Sequence, residues 1–410
     1  MSLLKTQVVG RICLAALVLV VGVRMWSRLA STPGHLPTPA RMGDYSRNVT
    51  LAKRTCEERE YPPGFVHPVP AVVFWNVLDS FGFVPGATAW LLVLPASMLG
   101  CLWLSKSLAG GTGDRHGDLA MALAFAAVEY YLLWDLKVAN INSFYLVLIL
   151  LGVWCWQEDR PVWAGILLGA SVALKLYSIA FLPYLFFRKA PRIGFSMLIS
   201  IAVLFVGVPV LYLGWHDTLL LTRQWIDVVR STSSPGYVYP AYKVSLSWIA
   251  LVLLNPDASG GRLNLLNCSL ESITWVVRII CLGWALLVLG YFAHTSVLGL
   301  SPTVKHKRLA LALDSSVILL CLLPASSTLQ PHHLVVLLLP AIVLTLVLFD
   351  KDFPARARAV AGLTVGMGAC LTEFSPHYPL RGVGVLLTLS VYLAGIWIVR
   401  CTCCPARMEL

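Results

Sequence analysis

Charge is scarce in this sequence: Asp, Glu, Lys and Arg make up 12% of 410 residues, against 58% hydrophobic. That excludes a soluble globular domain, because apolar side chains on this scale lack a polar surface to cover them. No polar stretch is long enough to bury a core of its own, so residues 1–410 read as one membrane-embedded domain. Nucleotide signatures are missing too. There is no P-loop, no Gly-rich dinucleotide fingerprint and no compact Asp-x-Asp pair to hold a metal–nucleotide complex. A membrane enzyme without a nucleotide site takes its activated donor from the lipid phase. No cofactor or metal site is expected: Cys401, Cys403 and Cys404 have no histidine nearby, and read as palmitoylation sites or plain tail residues. Internal repeats are absent, which argues against transporters built from duplicated halves.

What is present is a succession of apolar runs. Twelve segments read as membrane spans, about 8–26, 87–105, 118–134, 141–156, 162–174, 176–187, 193–214, 272–297, 308–324, 333–349, 356–372 and 383–400. The first is expected to be an uncleaved helix, since no convincing small-residue cleavage site follows it. The net charge of +11 does not indicate nucleic acid, because the basic residues sit in short loops between apolar runs. Lys106 and Arg115, Arg160, Arg188 to Arg192, Lys305 to Arg308, Lys351 to Arg358, and Arg400 fall on one side, read as cytoplasmic along with both termini. This alternation requires 162–187 to be two short helices meeting near Lys175, inside the membrane or at its outer face. Long outer loops are expected at 27–86 and 215–271, with surface-lying helices at Pro68–Phe83 and Val244–Leu254. Cys56 and Cys268 fall in these loops, where a disulfide between them is one reading. So do two sequons, Asn48-Val49-Thr50 and Asn267-Cys268-Ser269, which chance also explains.

Three regions on the outer face carry candidate chemistry. Asp44 lies in the run Met42-Gly43-Asp44-Tyr45 of a polar loop that Tyr61-Pro62-Pro63 closes. It reads as a solvated loop acid, a helix N-cap, or a general base that takes a proton from an attacking hydroxyl. Glu57, Glu58 and Glu60 lie among Lys53, Arg54 and Arg59 and read as a solvated face. Gln330-Pro331-His332-His333 opens a span. Adjacent histidines do not share a helix face, so one of the two is expected to face a cavity. Asn140-Ile141-Asn142 and Lys175 form the third region. A lysine between Leu174 and Leu176 either snorkels to the interface or faces an anionic group such as a lipid phosphate. Glu129 and Asp314 are intramembrane carboxylates, expected to partner other polar groups.

In order along the chain, these motifs resemble glycosyltransferase family 87, the polyprenol-phosphate-mannose-dependent α-1,2-mannosyltransferases of the GT-C superfamily. The family's early aspartate and Tyr-Pro-Pro segment correspond to Asp44 and Tyr61-Pro62-Pro63. Its Gly-Gln-Val-Asn motif corresponds to Ala139-Asn140-Ile141-Asn142, and its Ala-Leu-Lys stretch to Ala173-Leu174-Lys175 followed by Leu182-Pro183-Tyr184-Leu185. Its His-His-Leu segment corresponds to His332-His333-Leu334. The sequence departs from the pattern at Ala139, Asn140 and Gln330-Pro331, where glycine, glutamine and an aromatic-acid pair are usual. The resemblance implies an all-α GT-C fold of about twelve membrane helices with short surface helices in the outer loops. It also implies an inverting transfer of a sugar, mannose in this family, from a polyprenyl-phosphate donor to a glycolipid or glycan hydroxyl. Asp44 is then the catalytic base, and one of His332 and His333 contributes to the site. Tyr61, Asn140, Asn142 and Lys175 are expected to bind substrate, in the plasma membrane or, in a eukaryote, that of the endoplasmic reticulum. A lipid-linked-sugar flippase, an enzyme moving another sugar such as arabinofuranose, and an inactive scaffold are the rival readings.

Overall fold

The computed structural model describes residues 42–110, 116–232, 244–255, 265–297, 304–324, 326, 329–374 and 381–403, with isolated helical residues between 8 and 23. The first expected span, 8–26, thus lies largely outside the described residues. Among those described, all regular structure is helical. Helices α1 (Gly43–Glu58) and α2 (Val69–Ser80) precede the long α3 (Phe83–Leu108), and α4 (Gly117–Val138), α5 (Asn142–Gln157) and α6 (Pro161–Leu174) follow. A 3₁₀ turn (Leu176–Ala180) leads to α7 (Phe181–Phe187) and then to α8 (Pro191–Leu213), which contains a π turn at Val203–Gly207. Next come α9 (Trp215–Thr232), α10 (Leu246–Leu254), α11 (Leu270–Val297) and α12 (Val304–Cys321). A second 3₁₀ stretch, Pro331–Leu337, continues as α13 (Leu338–Phe349), before α14 (Ala355–Phe374) and α15 (Arg381–Cys403).

Among the described residues six helices have the length and apolarity to cross a membrane: α3, α4, α8, α11, the run Pro331–Phe349, and α15. Ile279, Leu282, Leu286 and Leu289 of α11 are each more than half exposed, a surface suited to lipid and costly in water. This is a multi-pass membrane protein. The helices α5, α6 and Leu176–Phe187 are apolar but shorter. The expected break is present: Lys175 is extended (φ −150°, ψ 129°) between α6 and the 3₁₀ turn. Ser171 Oγ reaches Ser178 Oγ across it at 2.7 Å.

The polar loop around Asp44 is mostly helix, which the sequence reading did not anticipate. Tyr45, Asn48, Val49, Ala52 and Thr55 recur at helical spacing and form the buried stripe of α1. Arg54 Nε donates to Glu58 Oε2 one turn on at 2.6 Å, and Arg59 ends the helix with φ 56°. The low average hydropathy conceals this stripe. It also places the Asn48 sequon inside the packing, since Asn48 is buried. The second long loop likewise holds α9 besides the expected α10.

The chain divides into two compact units, residues 11–107 with 131–230, and residues 1–10, 108–130 and 231–410. In the first unit α6 packs against α8 at backbone distance. A Cβ on Gly165 meets the Ile193 carbonyl at 2.6 Å, and one on Gly169 meets Ser200 Oγ at 2.6 Å. Small residues one turn apart permit this approach, as in other membrane helix pairs. In the second unit α14 packs on α13 and α15. Arg400, grouped above with the loop residues, is instead fully buried at the end of α15. Its Nε lies 3.7 Å from Asp314 Oδ1, which also accepts a 2.7 Å hydrogen bond from the Tyr291 hydroxyl. A buried charge persists only when paired, and among the described residues Asp314 is the acid nearest Arg400, although none of the guanidinium nitrogens makes a hydrogen bond there. Cys56 and Cys268 are both free thiols. Cys401 and Cys403 lie in the last turn of α15, and Cys404 lies outside the described residues.

Candidate active site

The first unit brings Asp44, Tyr61, Asn140, Asn142 and Lys175 into one neighbourhood. Asp44 occupies the first turn of α1, where a carboxylate complements the helix dipole. Asn140 Nδ2 donates to Asp44 Oδ2 at 2.5 Å, while Asn140 Oδ1 accepts the Ile141 N–H at 2.7 Å. The backbone bond fixes which end of the amide faces the acid. Burial raises the proton affinity of Asp44 above its ordinary value of 3.8; the Asn140 bond and the Lys175 and Arg47 charges oppose that rise.

Asn142 presents the opposite end of its amide. Its Oδ1 accepts from Lys175 Nζ, and its Nδ2 donates to Asp135 Oδ1 at 2.8 Å. Asp135 Oδ2 takes the Ser143 hydroxyl at 2.6 Å and the Ser143 N–H at 3.0 Å, tying the end of α4 to the start of α5. The Asn-x-Asn pair therefore offers a donor to Asp44 and an acceptor to Lys175. Ala139 enters this turn with φ 52°, a left-handed conformation, and its carbonyl accepts Trp90 Nε1 at 3.0 Å. A glycine at this position would take that conformation without strain. Ala139→Gly should stabilise the protein by roughly 0.5–1 kcal/mol, the left-handed cost less the entropy glycine adds to the unfolded chain. A thermal melt in detergent checks this, and a lowered midpoint would contradict it.

Tyr61 is buried, and its hydroxyl donates to the His67 carbonyl. Its N–H donates to Gln224 Oε1 at 2.8 Å, and Trp225 Nε1 reaches the Val66 carbonyl at 3.1 Å, so α9 staples residues 61–67 in place. The His67 ring hydrogen-bonds the Leu174 carbonyl, just before the break at Lys175. Burial, with the Lys175 and Arg47 charges, pushes its pKa down to about 3, so the imidazole is neutral. Sequence reasoning missed both His67 and Asp135. His67 stands in a proline-rich run with no recognisable spacing, and Asp135 fell just past the expected end of a span. The signal for Asp135 was its place one helical end before an Asn-x-Asn turn.

His332 and His333 belong to the second unit and differ in environment. His333 closes a capping box: its Nδ1 accepts the Gln330 N–H at 3.3 Å, while the Gln330 side chain accepts the His333 N–H. His332 is buried, with its ring edge-on to that of His333 at 4.6 Å.

The model of glycosyltransferase family 87 matches residues 65–323. A polyprenol-phosphate-mannose-dependent alpha-(1-2)-phosphatidylinositol pentamannoside mannosyltransferase of Mycobacterium tuberculosis is 26% identical over 209 residues, covering 50% of this chain and 46% of that protein. The chain thus spans about half the length of this curated relative. A family match over more than half the sequence, on a multi-pass helical membrane protein, places the chain in glycosyltransferase family 87.

Proposed function

We propose that the protein is a membrane glycosyltransferase that moves mannose from polyprenyl-phosphate mannose to a hydroxyl of a glycolipid or glycan, with inversion. The observation that carries this reading is the opposed pair in one unit, Asp44 with raised proton affinity and Lys175 at a helix break, each held by an asparagine amide. Asp44 takes the acceptor's proton as the hydroxyl oxygen bonds to the anomeric carbon. The bond from that carbon to the phosphate oxygen breaks, and polyprenyl phosphate leaves with the electron pair. Lys175 is the point charge that meets the phosphate, and Asn142 orients it. Tyr61 acts by holding the His67 segment. A part for His332 or His333 in the reaction rests on the family resemblance alone, with His333 closing the cap on Gln330. The dependence of the mycobacterial relative on polyprenol-phosphate-mannose supports the donor class. The twelve-span GT-C topology, a site on the outer or lumenal face, cytoplasmic termini and residence in the plasma or endoplasmic reticulum membrane belong to the same reading.

Purified protein supplied with radiolabelled polyprenyl-phosphate mannose and a membrane glycolipid extract should produce labelled glycolipid and free polyprenyl phosphate. Mass spectrometry of its co-purified lipid should show a polyprenyl-phosphate hexose. Movement of the labelled donor across reconstituted vesicles, with no transfer to any acceptor, would instead establish the flippase.

A further inference from the structure

We infer that Asp135, which the proposed reaction does not use directly, is a positioning residue that sets the orientation of the Asn142 amide and so fixes Lys175. The inference rests on the preceding reading only for what Lys175 then meets. Its ground is the distribution of donors and acceptors. Asp135 is fully buried, and both its oxygens are occupied, Oδ1 by Asn142 Nδ2 and Oδ2 by the two Ser143 donors. A carboxylate only accepts, so Asn142 must turn its NH₂ group to Asp135. Asn142 is itself buried and has one end left, the oxygen, which is the end Lys175 reaches. An asparagine with its amide reversed would press an NH₂ group against an ammonium. Asp135 thus decides, one residue removed, whether Lys175 meets an acceptor or a donor. Its bonds to Ser143 alone would serve to join α4 to α5; the bond to Asn142 does something further.

A charge-swapped pair separates positioning from a merely structural role. In Asp135→Asn, an amide facing Asn142 can present its NH₂ group, which reverses the Asn142 amide and sets donor against ammonium. In the double variant Asp135→Asn with Asn142→Asp, the new carboxylate accepts from both sides, and the count of charges is unchanged. The primary readout is reductive methylation of Lys175 in the full-length protein in detergent, followed by peptide mass spectrometry. An ammonium that loses its acceptor gives up its proton more readily, and Asp135→Asn also removes a charge that acts on Lys175 directly, so this variant should be labelled at least about tenfold faster than wild type. The double variant should return to within about threefold of wild type. Asn142→Leu, which keeps the Asp135 charge and the Asp135–Ser143 bonds and removes only the amide, should be labelled several-fold faster than wild type, and it decides the matter if Asp135→Asn does not fold. Wild-type labelling of Asn142→Leu, or a double variant labelled as fast as Asp135→Asn, overturns the inference.

The second readout is affinity for polyprenyl phosphate, followed by tryptophan fluorescence. If labelling follows the predicted order and affinity follows it too, inference and donor reading stand together. If labelling follows the order while affinity is the same in all variants, the orientation role stands and the assignment of phosphate to Lys175 fails.

Discussion

Asp44→Asn should insert and fold like the wild type while losing mannosyl transfer by ~10²–10⁴-fold, the usual contribution of a positioned general base. The substitution is isosteric and keeps an oxygen for Asn140 Nδ2, so the amide pair survives and the proton acceptor disappears. The pH profile gives an independent check. The active form is the carboxylate, so wild-type kcat/KM should fall as pH drops through the Asp44 pKa. Burial raises that pKa, which puts the acid limb above the ordinary 3.8. The residual activity of Asp44→Asn should show no such limb. Stability should move the other way. A carboxyl whose folded-state pKa is raised holds its proton more tightly when folded, so ionisation costs stability as pH rises from its unfolded to its folded value, and the cost is complete above that window. At neutral pH the amide removes this cost, and Asp44→Asn should melt no lower than wild type. Near-normal transfer by this variant would remove Asp44 from the role of base.

How much of this was legible in the sequence depends on what kind of signal each residue left. Long apolar runs announce themselves, and the alternation of basic loops was strong enough to demand a break at Lys175, where the backbone is indeed extended. The helix carrying Asp44 was hidden because a stripe of five buried residues vanishes in an average dominated by Lys, Arg and Glu. Arg400 looked like a loop cation because nothing local shows that Asp314 waits on another helix. Within the candidate site, Asn140, Asn142 and Lys175 stood out as polar residues in apolar surroundings. Asp135 did not, since its meaning lies in three hydrogen bonds made seven and eight residues later across a turn. His67 left no pattern at all: its ring bond to the Leu174 carbonyl joins segments more than a hundred residues apart.

Lys175→Met should lower kcat/KM by ~10–100-fold, the range expected when an ionised donor to a charged group is lost. The effect should fall on both parameters. Affinity for the donor drops because the ground-state phosphate loses its point charge, and kcat drops because the leaving phosphate gains charge in the transition state. A second consequence separates Lys175 from a purely structural lysine. Its charge, with that of Arg47 and the Asn140 bond, restrains the rise in Asp44 proton affinity. Without it the Asp44 pKa climbs further, and the acid limb of kcat/KM should move to higher pH. The same substitution thus weakens phosphate binding and makes the base titrate later. Lys175→Arg should restore the position of the limb, since the charge returns, and only part of the rate, because a planar fork does not replace a compact ammonium bonded to Asn142 Oδ1. Kinetic profiles of wild type, Lys175→Met and Lys175→Arg over the acid range make the comparison. A limb that stays put in Lys175→Met would mean that Lys175 and Asp44 do not share a site during turnover.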